Sequence, residues 1–252
     1  MSPDYFFNFL FNISDLLNKE ENLKFHISKI FLKNDKTSIL KVVIPSRGGG
    51  ESFVDKILIN RLYKKGYSCL AYRIPGSVLS SDINETVRYF DLIKNQIKSD
   101  ISKLKNEHHF KRIDIVAASM GVVSACLISN DNDDINNLYF IVPGSNLALS
   151  LWNGIRTQNL RNIYEQQNIN QEQLNSIWKV LAPKNNINEL NNKNIFLSIS
   201  KQDKIIPYIF GKELMISIKN MYPDNIIVQE NNYLGHYLTV VKYYLFSREL
   251  MR

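Results

Sequence analysis

Ile113-Asp114-Ile115-Val116-Ala117-Ala118-Ser119-Met120-Gly121 is the stretch on which the fold turns. Ile113 to Ala118 is a run of strand length, apolar except for Asp114, and it passes directly into an apolar helical segment from Met120 to Ile128. A serine at so sharp a strand-to-helix junction is thrust out of the sheet. The residues two before and two after it must be small, because strand and helix backbones pass close together there. Ala117 and Gly121 meet that requirement. The same turn aims the Met120 amide and the helix N-terminus at the serine, where they would stabilise developing negative charge. The five residues read equally as a buried strand ending at an ordinary Ser N-cap, and by themselves they do not separate the two readings.

Outward from this junction the chain keeps one rhythm. Towards the N-terminus, Leu23 to Ile30 alternates apolar and polar residues and reads as a half-buried strand. Ile39 to Pro45 is a β-branched run that ends in Ser46-Arg47-Gly48-Gly49-Gly50, with Phe53, Ile57, Leu58 and Leu62 following at helical spacing. Tyr67 to Ile74 is a further strand closed by Pro75-Gly76. Asp82 with Glu85 then gives a capping-box start to a long helix with Val87, Phe90, Ile97, Ile101 and Leu104 on one face. Towards the C-terminus come strands at Leu138 to Val142, Ile195 to Ile199 and Ile226 to Gln229, with helices near Phe210 to Ile218 and from His236 to Leu250. Short apolar strands separated by helices predict an α/β fold with a doubly wound, mostly parallel sheet. After Gly144 the rhythm stops for roughly fifty residues, longer than the loops that usually join such elements. Residues 145–190 are therefore expected to form a small helical lid inserted in a single domain of residues 1–252, with a helix capped by Asn170 and Gln173. Trp152, Tyr164 and Trp178 in it are assigned mainly to packing.

Asp203 lies just past the strand Ile195 to Ile199, and His236 just past the last strand. The carboxyl ends of parallel strands share one edge of the sheet, where ligands bind, so Ser119, Asp203 and His236 can converge although they are far apart in sequence. The order Ser, Asp, His matches one known way of assembling a nucleophile, its base and the acid that orients the base. Asp224 is the rival acid, but it precedes a strand. His26, His108 and His109 sit on an early strand and at a Lys-rich helix end, without metal-ligand spacing.

The Ala117-x-Ser119-x-Gly121 elbow, the acid after the penultimate strand, Gly235-His236 after the last and the early glycine loop together resemble the α/β-hydrolase superfamily of esterases, lipases and thioesterases. The likeness runs from Leu23 to the C-terminus, with two departures: Ala117 stands where Gly is commoner, and Ser46-Arg47-Gly48-Gly49-Gly50 replaces the usual His-Gly pair. The resemblance implies a hydrolase of small-molecule carboxylic esters or thioesters working through an acyl-enzyme. Ser119 would be the nucleophile, His236 the base and Asp203 its orienting acid, with an oxyanion hole from the amides of Met120 and of Arg47, Gly48 and Gly49. It implies no metal and no organic cofactor. An acyltransferase using the same three residues, and a hydrolase-fold binding protein without turnover, are the alternatives.

The composition agrees. A chain of 252 residues with 44% hydrophobic and 22% charged residues can bury a substantial core, which excludes a disordered chain and a disulfide mini-scaffold. Cys69 and Cys126 sit in apolar stretches and read as reduced, buried thiols. The net charge of +7 would suggest nucleic acid only if it were gathered in an aromatic-studded stripe, and its Lys residues are scattered, so no nucleic-acid partner is expected. Asn8, Asn12 and Asp15 interrupt the first apolar stretch, no Lys or Arg precedes it, and no run has the roughly 18 apolar residues of a membrane helix. A soluble, cytoplasmic chain without a transmembrane segment is the expectation.

Overall fold

β-Branched and aromatic runs supply seven strands that hydrogen-bond into one sheet: β1 (Ser28–Leu32), β2 (Ile39–Ile44), β3 (Ser68–Arg73), β4 (Arg112–Ala118), β5 (Ile135–Ile141), β6 (Asn194–Ser200) and β7 (Ile226–Asn231). This is a computed structural model, which describes Phe25 and residues 27–46 and 53–251. The order across the sheet is β1-β3-β2-β4-β5-β6-β7; every neighbouring pair is parallel except β1 with β3. β4 and β2 are central, in register from Ile39 opposite Arg112 to Ile44 opposite Ala117.

Both faces are covered, as a parallel sheet requires. On β4 the alternation divides the core: Ile113, Ile115 and Ala117 face one cluster, Val116 and Ala118 the other. The first cluster is closed by α2 (Ile83–His108), α3 (Gly121–Ser129) and α7 (Tyr208–Met221), the second by α1 (Phe53–Lys64) and α8 (His236–Phe246). Each fully buried Ile or Leu in these clusters contributes about 1.5–3 kcal/mol relative to exposure.

The long helix begins as the sequence predicts, with a difference in detail. Asp82 accepts from the Asn84 and Glu85 amides. The Glu85 carboxylate, however, accepts from Ser80 Oγ at 2.9 Å, and Ser80 Oγ in turn accepts the Asp82 amide at 3.1 Å. A serine hydroxyl thus bridges the two halves of the expected box. Phe90, Ile97 and Ile101 are fully buried on the predicted face.

The early strand is displaced. Alternation predicts Leu23 to Ile30, whereas β1 is Ser28–Leu32, running antiparallel to β3 with Ile30 opposite Ala71. The reason is visible at Phe25, whose ring stacks on Tyr89 of α2 at 4.2 Å and leaves the sheet; Leu23, Lys24 and His26 lie outside the described residues.

The break after Gly144 is helical: α4 (Leu147–Asn153), α5 (Gln158–Gln166) and α6 (Gln171–Ile177), followed by short turns of tighter helix at Trp178–Leu181 and Pro183–Asn185. Asn146 caps α4 by accepting from the Leu149 amide, and Asn170 with Gln173 forms a complete capping box on α6. Trp178 and Tyr164 are fully buried, edge to face at 6.2 Å. Trp178 Nε1 donates to the Ile83 carbonyl at 2.9 Å and Tyr164 Oη to the Ser80 carbonyl at 2.6 Å, which fastens the insert to the start of α2.

Candidate active site

Ser119 follows the last residue of β4 and precedes α3 by one residue. Its φ of 54° lies in the left-handed region, a conformation that costs a non-glycine residue about 1–3 kcal/mol and is tolerated where the surroundings enforce it. Two backbone bonds do so: the Ser119 amide donates to the Ile141 carbonyl at 2.8 Å, and the Ser119 carbonyl accepts from the Val122 amide at 3.1 Å. Gly121 is small for the expected reason, a close approach of strand and helix backbones, and the strand is the neighbour β2. A Cβ there would stand 2.5 Å from the carbonyl oxygen of Ile44 and 2.6 Å from that of Pro45, so the crowding comes from the end of the neighbouring strand β2. The described backbone hydrogen bonds outside regular elements leave the Met120 N–H unused.

Asp203 sits in the turn after β6. Its Oδ1 accepts from the amides of Ile205 and Ile206, both at 2.9 Å, and its Oδ2 lies 2.7 Å from His236 Nδ1. With both oxygens engaged, the carboxylate is fixed and holds the imidazole with Nε2 turned away from it. His236 is the first residue of α8, immediately after Gly235. Two bonds tie its loop to that of Asp203: Ser200 Oγ donates to the Leu234 carbonyl, and the Lys201 amide donates to the Asn231 carbonyl at 2.9 Å.

Ser119 and His236 line one cavity of about 350 Å3, together with Ser46, Met120, and Leu147 and Leu151 of the insert. That volume is within the range of small-molecule sites. Ser119 and His236 both line this space, and the described side-chain hydrogen bonds include none between them. Arg47, Gly48 and Gly49 lie outside the described residues, directly after Ser46. Trp152, Tyr164 and Trp178 do not line the cavity.

The remaining sequence candidates are elsewhere. Asp224 is in the turn that leads into β7, and His108 ends α2 stacked on Phe31 at 5.3 Å, with His109 as the left-handed cap of that helix. Cys69 and Cys126 are free and buried. Among the described residues no three His, Cys, Asp or Glu side chains come together in the manner of a metal site, and no helix is long and apolar enough to cross a membrane.

The seven-stranded sheet, parallel except at the edge strand β1 and covered by helices on both faces, has counterparts among solved structures. An esterase of Pyrococcus furiosus superposes with a TM-score of 0.59 at 18% identity, covering 90% of this chain and 88% of that one. This is the α/β-hydrolase fold. Other chains with the α/β-hydrolase fold that superpose on it include a Paenibacillus acetyl xylan esterase (TM-score 0.62, 10% identity, 91% and 89% covered). A Pyrococcus horikoshii acylaminoacyl peptidase does so with a TM-score of 0.64 at 13% identity, covering 89% of this chain and 39% of the longer peptidase. No family model and no curated relative matches the sequence. Esterases and a peptidase on one α/β-hydrolase framework mean that the reaction has to be argued from the site.

Sequence reasoning missed the groups that hold the pair. The grip of the Ile205 and Ile206 amides on Asp203 is an Asx turn, for which an Asp in a Gly-free polar loop was the available signal. The Ser200 to Leu234 bond joins two loops and has no local signature.

Proposed function

We propose that the protein is a serine hydrolase of carboxylic esters or thioesters. The observation that carries the reading is the doubly anchored Asp203 carboxylate 2.7 Å from His236 Nδ1, with His236 and the strained Ser119 facing the same cavity. In this reading Ser119 Oγ attacks the acyl carbon while His236 Nε2 takes its proton, and the imidazolium is stabilised by Asp203. The same proton passes to the leaving oxygen or sulfur. Water, deprotonated by His236, then attacks the acyl-enzyme and releases the acid. The Met120 amide supplies one oxyanion donor, worth on the order of 3 kcal/mol, and the loop of Arg47, Gly48 and Gly49 the second. The helices of residues 145–190 act as the cover of the cavity. Ser119→Ala is expected to abolish both turnover of a p-nitrophenyl ester and acyl-thioester series and covalent labelling by a fluorophosphonate. Undiminished labelling of that variant would remove Ser119 from its role.

A further inference from the structure

The charge distribution around the cavity is one-sided. Buried Leu79, Met120, Val123, Leu147 and Leu151 supply apolar wall, and Arg156 is the one permanent charge among the described residues that line it. A shallower groove shares Ile205, His236 and Tyr237 with the cavity and adds Lys204; none of the described residues lining either space is acidic. The nearby Asp203 is engaged by His236 and by two amides. Arg156 itself is exposed, so its charge costs nothing to keep, and its guanidinium carbon lies 5.4 Å from the centre of the Tyr237 ring. A cation over that ring is attracted to its face, which restricts the side chain and lowers the entropy lost when it takes a bidentate partner.

The position of Tyr237 says which part of a substrate the fork meets. In the hydrolase reading, on which this inference rests, His236 hands its proton to the leaving oxygen, so the alcohol portion of the ester lies at the imidazole end of the cavity. Tyr237 is the next residue and packs edge-on to the imidazole at 5.6 Å. We infer that Arg156 is a specificity-determining residue that recognises a carboxylate on the alcohol portion of the ester, the acyl portion lying against the apolar wall. A carboxylate matches the guanidinium fork with two parallel, charge-assisted hydrogen bonds.

The test compares para-carboxyphenyl acetate with the matched neutral ester in which that carboxylate is a methyl ester. The ratio of kcat/KM for the charged to the neutral ester is expected to fall about ten-fold in Arg156→Gln relative to wild type, and to be partly restored in Arg156→Lys. In parallel, calorimetry measures binding of para-hydroxybenzoate and its methyl ester, a readout that needs no turnover. Affinity for the carboxylate should drop about ten-fold in Arg156→Gln, with the drop shrinking at high salt. An unchanged ratio, or equal binding of para-hydroxybenzoate by wild type and Arg156→Gln, overturns the assignment. Should wild type turn over neither ester, the hydrolase reading fails and the calorimetric comparison decides this one alone.

Discussion

Gly121 of α3 and Ile44 of β2 are in backbone contact so close that a Cβ on the glycine would stand 2.5 Å from the Ile44 carbonyl oxygen. The contact is with main chain, which cannot swing aside as a long side chain can. Gly121→Ala therefore has to push α3 or the end of β2 away, and Ser119 sits on the strained turn that leads from β4 into α3. The expected cost is about 3 kcal/mol, at the upper end of overpacking, or a fall in Tm of roughly 6–12 °C for a chain of this length. Gly235→Ala is the control, because its Cβ would meet nothing nearer than the Gln202 carbonyl at 3.8 Å. Thermal unfolding of the two variants checks the contrast, and equal Tm values would refute it.

Asp203→Asn isolates the orienting role proposed for the carboxylate. The Ile205 and Ile206 amides donate to one oxygen of Asp203 and would hold the carbonyl of an Asn in its place, which turns the amide nitrogen towards His236 Nδ1. That nitrogen donates, so Nδ1 has to accept and the proton moves to Nε2, leaving no base for Ser119. kcat should fall about 10^3 to 10^4-fold with the fold intact by circular dichroism. Retention of more than about a tenth of kcat would show that Asp203 does not set the tautomer.

Most of what the sequence announced is local. The junction at Ser119 was legible because strand period, small residues and helix start coincide within nine positions, and the Asn170 and Gln173 box because both partners lie within one turn. What was not legible is non-local. The antiparallel edge depends on which strand β1 meets, and its start depends on Phe25 finding Tyr89. Arg156 gave no signal because its significance lies in Tyr237, a residue far along the chain that α8 brings beside it. Ser200 likewise reads as a strand-end serine until the Leu234 carbonyl is next to it.

The two thiols should be inert in the native protein. Burial pushes the Cys69 thiol up to about 12, against a small opposing effect of Lys41, and burial also raises that of Cys126. A raised value means less thiolate at a given pH: at pH 8 about one Cys69 in ten thousand is in the reactive form, and burial blocks access as well. Neither cysteine is expected to react with an aromatic disulfide reagent at pH 8 within hours, and both should react in guanidinium chloride. Rapid titration of one thiol in the native state would show that the β3 region or α3 opens readily.

At the amino ends of the strands, on the edge opposite Ser119, an ion pair is buried without exposure on either side: Lys41 Nζ lies 2.7 Å from Asp114 Oδ2, between the rings of Tyr67 and Tyr139 at 4.8 and 4.9 Å. Asp114 has further partners, accepting from Arg112 Nη2 at 2.8 Å and from Asn137 Nδ2 at 2.7 Å, whereas Lys41 depends on Asp114 for its charge balance. The two substitutions are therefore unequal. Asp114→Asn leaves a buried ammonium unbalanced and should cost about 3–5 kcal/mol, while Lys41→Met leaves a carboxylate that is still bonded and should cost clearly less. Burial lowers the Lys41 pKa below its ordinary 10.5, with Asp114 opposing the shift. As pH rises through the lowered value towards 10.5 the native lysine sheds its proton before the unfolded one does. The unfolded state then binds more protons, and wild type gains stability with rising pH by this route. Lys41→Met removes the route, so urea unfolding at pH 8 and at pH 10 should show wild type gaining on the variant at the higher pH, and an opposite trend would mean that the pair with Asp114 outweighs burial.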